Sequence, residues 1–440
     1  MMLATMMASL PLMAAVPIVP TESVSTSQDA ETSVVTVNYA LSGAPGIVTI
    51  DIQTNAGENV WTSIGGKHQR HWAGDVNRLV PADEGKTRTA KWAAAADWPG
   101  FRLTENVRAV VTAWATNAPP NYMVLDLGLP TNAYFYTEAE ALPGGVGDRI
   151  YKTDKLVLRR IPAANVVWNK GSPSGEKGRD ANREGAQAVR LTKDYYIGVY
   201  EFTQAQYRRL YTTSEYSGVS RPTFTSAPNA EVHPIDSIPP VSVRGKLWSY
   251  GAKEEVTSGS VLGRLRSRTG VMLDLPTAAQ WEFACRAGCS RAYYNGYDPA
   301  SADAGTADAN LDRIAWYSKN GADDPDLAGL ANQTHEVGLK EPNGFGLYDI
   351  LGNVQEYGLD WNTKDFTPHP GVDVDPMGPA ERSADGNEYN GYVWCGGAYN
   401  KSATGCRASS RYSWSTGGAN EVGVRVCAPA ETVYFNEEAK

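Results

Sequence analysis

Between Ser33 and Leu41 the apolar positions Val35, Val37, Tyr39 and Leu41 alternate with Thr36, Asn38 and Ala40, the period of a half-buried strand. After a turn at 42–46, Val48, Ile50 and Ile52 alternate again with Thr49, Asp51 and Gln53. Further strands are predicted at Thr87–Trp92, Val107–Ala115 and Tyr122–Leu127, divided by Gly, Pro and Asn clusters. Short strands in series with no helical repeat predict a β-sandwich over residues 31–130. The turn Pro143-Gly144-Gly145 then marks a linker over 131–160.

From residue 161 onward the pattern changes. Tyr195 to Glu201 reads as a strand, and Thr203-Gln204-Ala205-Gln206 matches a capping box, so Tyr207 and Leu210 begin the buried face of a helix. A second capping box, Thr277-Ala278-Ala279-Gln280, opens a helix through Trp281 and Cys285 that Gly288 is expected to end. Thr277 as N-cap contributes about 1 kcal/mol. Residues 301–341 are polar and irregular, and Asp323, Asp324 and Asp326 within them read as solvated loop. The stretch 342–361 holds four glycines, four aromatics and three carboxylates. Glycine denies it regular structure, yet its aliphatics are core material, so its backbone groups need partners other than a ladder. A hard cation is one such partner. Asp349 and Glu356, on either side of the turn 351–354, could offer it carboxylate oxygens.

At 440 residues the chain has room for two or three domains, and 42% hydrophobic with 20% charged residues describes an ordinary globular composition. A formal charge of −9 and the lack of any basic cluster exclude a nucleic-acid surface. Residues 1–20 carry no charged side chain, and an apolar run at 10–16 makes them a candidate signal peptide that lacks the usual basic start. No other segment reaches the roughly 18 apolar residues of a membrane span. All five cysteines, Cys285, Cys289, Cys395, Cys406 and Cys427, lie in the second half. An exported chain would oxidise some of them, and the odd count leaves one over. His68 and His71 could share a metal but read as solvated turn residues.

The segment Gly-Leu-Tyr-Asp-Ile-Leu-Gly-Asn-Val-Gln-Glu-Tyr at 346–357 resembles the signature of the formylglycine-generating enzyme, or sulfatase-modifying factor, family. Four more motifs fall in the family's order: the Tyr195–Thr203 unit, His233-Pro234 with Pro239-Pro240-Val241, the Thr277 helix, and Asp375-Pro376-Met377-Gly378-Pro379. The resemblance covers 161–430. It implies an α+β fold related to C-type lectins and rich in ordered loop, following the N-terminal β-sandwich.

The family's founding activity oxidises a sulfatase cysteine to formylglycine with copper(I) and oxygen. That soft ion needs two thiolates. By resemblance the two positions fall on Lys401 and Cys406, and lysine cannot replace a thiolate. Cys395 is a second sulfur, but out of register. A copper site is therefore not expected, and the resemblance points to an exported binding module. The alternative is an active oxidase using Cys406, which in non-oxidase relatives packs as a small apolar side chain. Lys401, Trp394, Tyr399, Tyr412 and Trp414 are candidates for a groove facing a protein or carbohydrate ligand, although plain core packing explains each aromatic equally well. The iron-binding branch of the superfamily needs three histidines, and no His-x-x-x-His occurs here. Two further features are implied by the resemblance. One is a structural calcium held by Asp349, Gly352, Val354 and Glu356 through two side chains and two carbonyls. The other is a disulfide between Cys285 and Cys427, contributing about 4–5 kcal/mol on the chain-entropy account.

Overall fold

The computed structural model describes residues 15–55, 57, 59–128, 133–245, 256–321, 332–362, 367–379, 391–413 and 419–431. Asp323, Asp324, Asp326 and Trp414 lie outside them, as do residues 1–14 of the candidate signal segment. The chain divides into two compact units, Met1–Pro119 and Pro120–Lys440.

In the first unit the alternating stretches pair into two antiparallel sheets. One runs Ser25–Gln28, Val35–Ala40, Thr87–Trp92, Trp72–Gly74. The other runs Val107–Trp114, Gly46–Asn55, Trp61–Ser63, with Arg78–Val80 also on the middle strand. Val35, Val37 and Tyr39 of one sheet and Val48, Ile50 and Ile52 of the other share a single apolar core with Trp92, as in a sandwich. His68 and His71 take different partners. The His68 ring lies 4.7 Å from Trp98, and His71 Nδ1 is 2.6 Å from Asp97 Oδ1.

The sequence-based boundary between domains needs correcting. The strand expected at 122–127 forms over Tyr122–Asp126, but it belongs to the second unit, between Ala133–Tyr136 and Lys155–Ile161. The expected linker 131–160 therefore contains two strands of a sheet and the short helix Ile150–Thr153. Its signal was hidden because Leu156, Val157 and Leu158 are buried consecutively, which removes the period of two.

The second unit is built on that five-stranded antiparallel sheet, ordered Ala133–Tyr136, Tyr122–Asp126, Lys155–Ile161, Tyr195–Gly198, Cys427–Pro429. A second sheet orders Arg411–Tyr412, Tyr392–Cys395, Gln355–Trp361, Val422–Gly423. A third joins Val167–Lys170, Gln187–Arg190 and Asp373–Val374. Both expected capping boxes are present, on helices Gln204–Arg209 and Ala278–Arg286. The latter ends one residue earlier than expected, with Ala287 in the left-handed region at φ 47°. Among the described residues no helix is long and apolar enough to cross a membrane.

Candidate functional site

The stretch 342–361 folds as a left-handed turn followed by a buried strand. Asp349, Gly352 and Asn353 have φ of 53°, 82° and 52°. Only glycine suits position 352, because a Cβ there would stand 2.3 Å from the carbonyl oxygen of Trp316. The turn delivers Asp349 and Glu356 to the interior, each about 1% exposed.

There the two carboxylates meet different fates. Glu356 Oε1 accepts from Arg425 Nε at 2.8 Å, and its Oε2 accepts from Trp281 Nε1 at 2.6 Å. Asp349 Oδ2 accepts from the Gly338 N–H at 2.6 Å, while its Oδ1 has no hydrogen-bond partner. Burial lifts the Asp349 carboxyl to about 6, against the pull of the Gly338 N–H and Arg425. A third carboxylate, Glu201, arrives from beyond the strand Tyr195–Gly198. It accepts from Asn353 Nδ2 at 2.7 Å and from the Val354 N–H at 3.1 Å. Burial first, then Asp349 and Glu356, holds it well above the usual carboxylate range. Arg425, wholly buried, also donates to the carbonyls of Gly198, Val199 and Tyr348.

The donor set can therefore be tested against the implied calcium. Among the described residues no three His, Cys, Asp or Glu side chains converge as a metal group. The implied set, however, uses only two side chains and takes its other oxygens from carbonyls. The unpartnered Asp349 Oδ1 is the one side-chain oxygen of that set free to face a hard cation. Glu356 is already neutralised by Arg425, so it would have to share its oxygens.

The loop 396–401 rests directly on this turn. Gly352 N–H donates to the Gly396 carbonyl and Tyr399 N–H to that of Asn353, both at 2.9 Å. Lys401 N–H then donates back to Ala398. Lys401 Nζ lies 3.2 Å from Glu421 Oε1 and 5.4 Å from the centre of the Tyr412 ring. Cys406 is fully buried, and its thiol lies 3.9 Å from the Ala398 carbonyl. Gly397 is obligatory beside it, since a Cβ would come within 2.4 Å of Cys406 Sγ. Burial pushes the Cys406 thiol up to about 12, although Lys401 acts in the opposite sense. Cys395 is buried likewise and also pushed up to about 12. Neither carries a thiolate at neutral pH.

The expected aromatic groove is only partly assembled. Trp394 and Tyr399 are 5% and 3% exposed and pack in the core, against Tyr357 and Phe224 respectively. Tyr412, half-buried, is the aromatic that borders Lys401. Cys285 and Cys427 both join the main core of the unit, and each holds a free, buried thiol. Burial raises both thiols well above their usual range. Sequence reasoning assigned no role to Glu201, Arg425 or Glu421. Glu201 stood at the end of the Tyr195–Glu201 strand, whereas Arg425 and Glu421 fell in no motif singled out above.

Residues 159–430 match the family profile of the sulfatase-modifying factor enzyme 1-like domain. The chaperone protein LppX of Paenibacillus barcinonensis is 27% identical over 198 residues, 40% of this chain and 65% of that one. The formylglycine-generating enzyme of Mus musculus is 25% identical over 253 residues, 51% of this chain and 63% of that one. That of Thermomonospora curvata is 35% identical over 115 residues, 25% of this chain and 35% of that one. The chain thus spans less than two thirds of each of these relatives. Among solved structures, Treponema denticola variable protein 1 aligns with a TM-score of 0.44 at 22% identity, covering 62% of this chain and 95% of its own. PvdO from Pseudomonas aeruginosa aligns at 0.41 and 18%, covering 62% and 94%.

Proposed function

From the premise that the chain belongs to the sulfatase-modifying factor family, we propose that it is an exported binding module of that family and not a copper oxidase. One observation carries the reading. At the position where copper(I) needs a first thiolate stands Lys401, an ammonium engaged with Glu421 and Tyr412. The remaining sulfur, Cys406, is buried and protonated. A hard ammonium beside one neutral thiol offers no soft two-coordinate site. What the arrangement offers instead is a charged, aromatic-flanked position on the 396–401 loop, suited to a protein or carbohydrate ligand. The relative named as a chaperone is compatible with a binding role.

Calcium belongs to the same reading. Asp349 and Glu356, with the carbonyls of Gly352 and Val354, would hold the ion, and it would supply charge balance for buried carboxylates without entering a reaction. Because the 396–401 loop hangs on the Gly352–Asn353 backbone, the ion would fix the height of Lys401.

The oxidase alternative has a direct test. The chain is incubated with copper(I), oxygen and a cysteine peptide of sulfatase type, and the peptide mass is followed. No aldehyde product is expected. Turnover that disappears in Cys406→Ser would overturn the proposal.

A further inference from the structure

A cleft of about 350 Å³ opens beside the helix Gln204–Arg209 and the short helix Thr213–Ser217 that follows it. Ala205, Arg208, Tyr211, Thr213 and Tyr216 line it. The capping box at Thr212 starts the second helix directly after the first, and the Tyr216 ring comes to lie 6.3 Å from that of Tyr211, centre to centre. None of these residues belongs to the Lys401 loop or to the carboxylate turn.

The guanidinium groups around this cleft are not all matched. Arg149 pairs with Glu231, Arg209 with Asp154, and Arg264 with Glu215 at 3.0 Å. Glu215 is also held by the Thr212 N–H and hydroxyl, and with Arg264 these bonds draw its carboxyl down to about 2. Among the described residues Arg208 and Arg221 have no carboxylate partner. Both lie instead against the Tyr216 ring, 5.9 and 5.6 Å from its centre, and Arg221 otherwise donates only to the Ser217 carbonyl. A ring quadrupole orients a guanidinium but carries no net charge. Exposed ion pairs exchange partners readily, yet however these three rearrange, two positive charges remain over. They do so on a chain whose formal charge is −9.

Size and wall then narrow the ligand. The volume lies at the lower end of small-molecule sites, with room for one or two rings. The wall is built from two phenol rings, the Ala205 methyl and threonine methyls, against which a flat apolar body packs. Arg208 is exposed and lines the cleft, so its donors are open to a ligand, and the planar fork of a guanidinium matches a carboxylate. Glu231 also lines the cleft, but its own cation, Arg149, accompanies it. We infer that this cleft binds an aryl carboxylate, with the carboxylate on Arg208 and the ring against Tyr211 and Tyr216. The inference is independent of the Lys401 loop, because the two sites share no residue.

Calorimetry and saturation-transfer NMR on the full chain test this with benzoate and 1-naphthoate. Benzamide serves as the uncharged counterpart, acetate as the anion without a ring, and inorganic phosphate as a bare oxyanion. At least one aryl carboxylate should bind saturably, and at least tenfold more tightly than any of the three counterparts. Arg208→Gln removes a charge-assisted hydrogen bond and should weaken binding at least tenfold with Tm unchanged. Thr213→Trp fills the cleft from an exposed lining position while leaving the guanidinium in place, and should weaken binding as much. Arg108→Gln, which takes a guanidinium off the Trp61 ring in the first unit, should leave binding unchanged. No saturable binding of either aryl carboxylate, equally tight binding of benzamide, acetate or phosphate, undiminished binding in Arg208→Gln or Thr213→Trp, or an equal loss in Arg108→Gln would each overturn the inference.

Discussion

The two units of this chain are stabilised in different ways. In the sandwich the core is apolar, with Val35, Val37, Val48 and Ile52 fully buried and Trp92 at its centre. In the second unit Arg244, Arg407 and Arg425 are among the largest fully buried side chains, and each meets a carboxylate. A sheet satisfies its backbone through its own ladder. Ordered loop cannot, so buried guanidinium groups donate to loop carbonyls instead, as Arg407 does to Gly178 and Thr404 and Arg425 to Tyr348. The difference teaches that a loop-rich fold tolerates change at its surface only while its interior charges stay matched.

The comparison breaks most visibly at Arg407. Arg407→Ala leaves Glu176 and Glu184 buried without their cation and should cost about 3–5 kcal/mol by urea unfolding of the second unit. Ile52→Val in the sandwich should cost only about 0.5–1.5 kcal/mol. Equal costs would mean that the two interiors do not differ in this way.

Calcium comes next. At an ion concentration a hundredfold above Kd the second unit should gain about 2.7 kcal/mol. The rise in Tm should vanish in the double variant Asp349→Ala with Glu356→Ala. Identical melting curves with and without chelator would remove the ion from the account.

A smaller effect is expected at Asp360, whose Oδ2 accepts from the first N–H of helix Ala278–Arg286. Burial raises its carboxyl to about 6, against that N–H, Lys170 and Arg411. The folded pKa exceeds the unfolded one, so the contribution is complete below about pH 4 and is lost as pH rises through about 6. Asp360→Asn should therefore gain stability relative to the parent chain as the pH rises across that window. A difference that is flat between pH 4 and 7 would contradict the assignment.

The legibility of the two units follows the same division. Period-two alternation exposed the sandwich strands, as at Val35–Ala40, because each side chain answers to one local face. In the second unit the capping boxes at Thr203 and Thr277 were legible because they are complete within four residues. The candidate site was legible only as motif. Asp349 and Glu356 stood out by their place in the glycine-rich turn and by resemblance, but Glu201 joins them from far along the chain, and Lys401 meets Glu421 across a loop with no periodicity. For the aromatics Trp394 and Tyr399 the sequence left groove and core equally open, since both take the same residue types, and their burial places them in the core.

The most direct test of the central claim is a copper(I) titration of the full chain in the presence of a competing chelator, alongside Lys401→Cys. The account predicts no stoichiometric, sulfur-coordinated copper in the parent chain, and a gain of affinity when the second thiol is supplied opposite Cys406. One equivalent of tightly held copper with two sulfur ligands in the parent chain would contradict it.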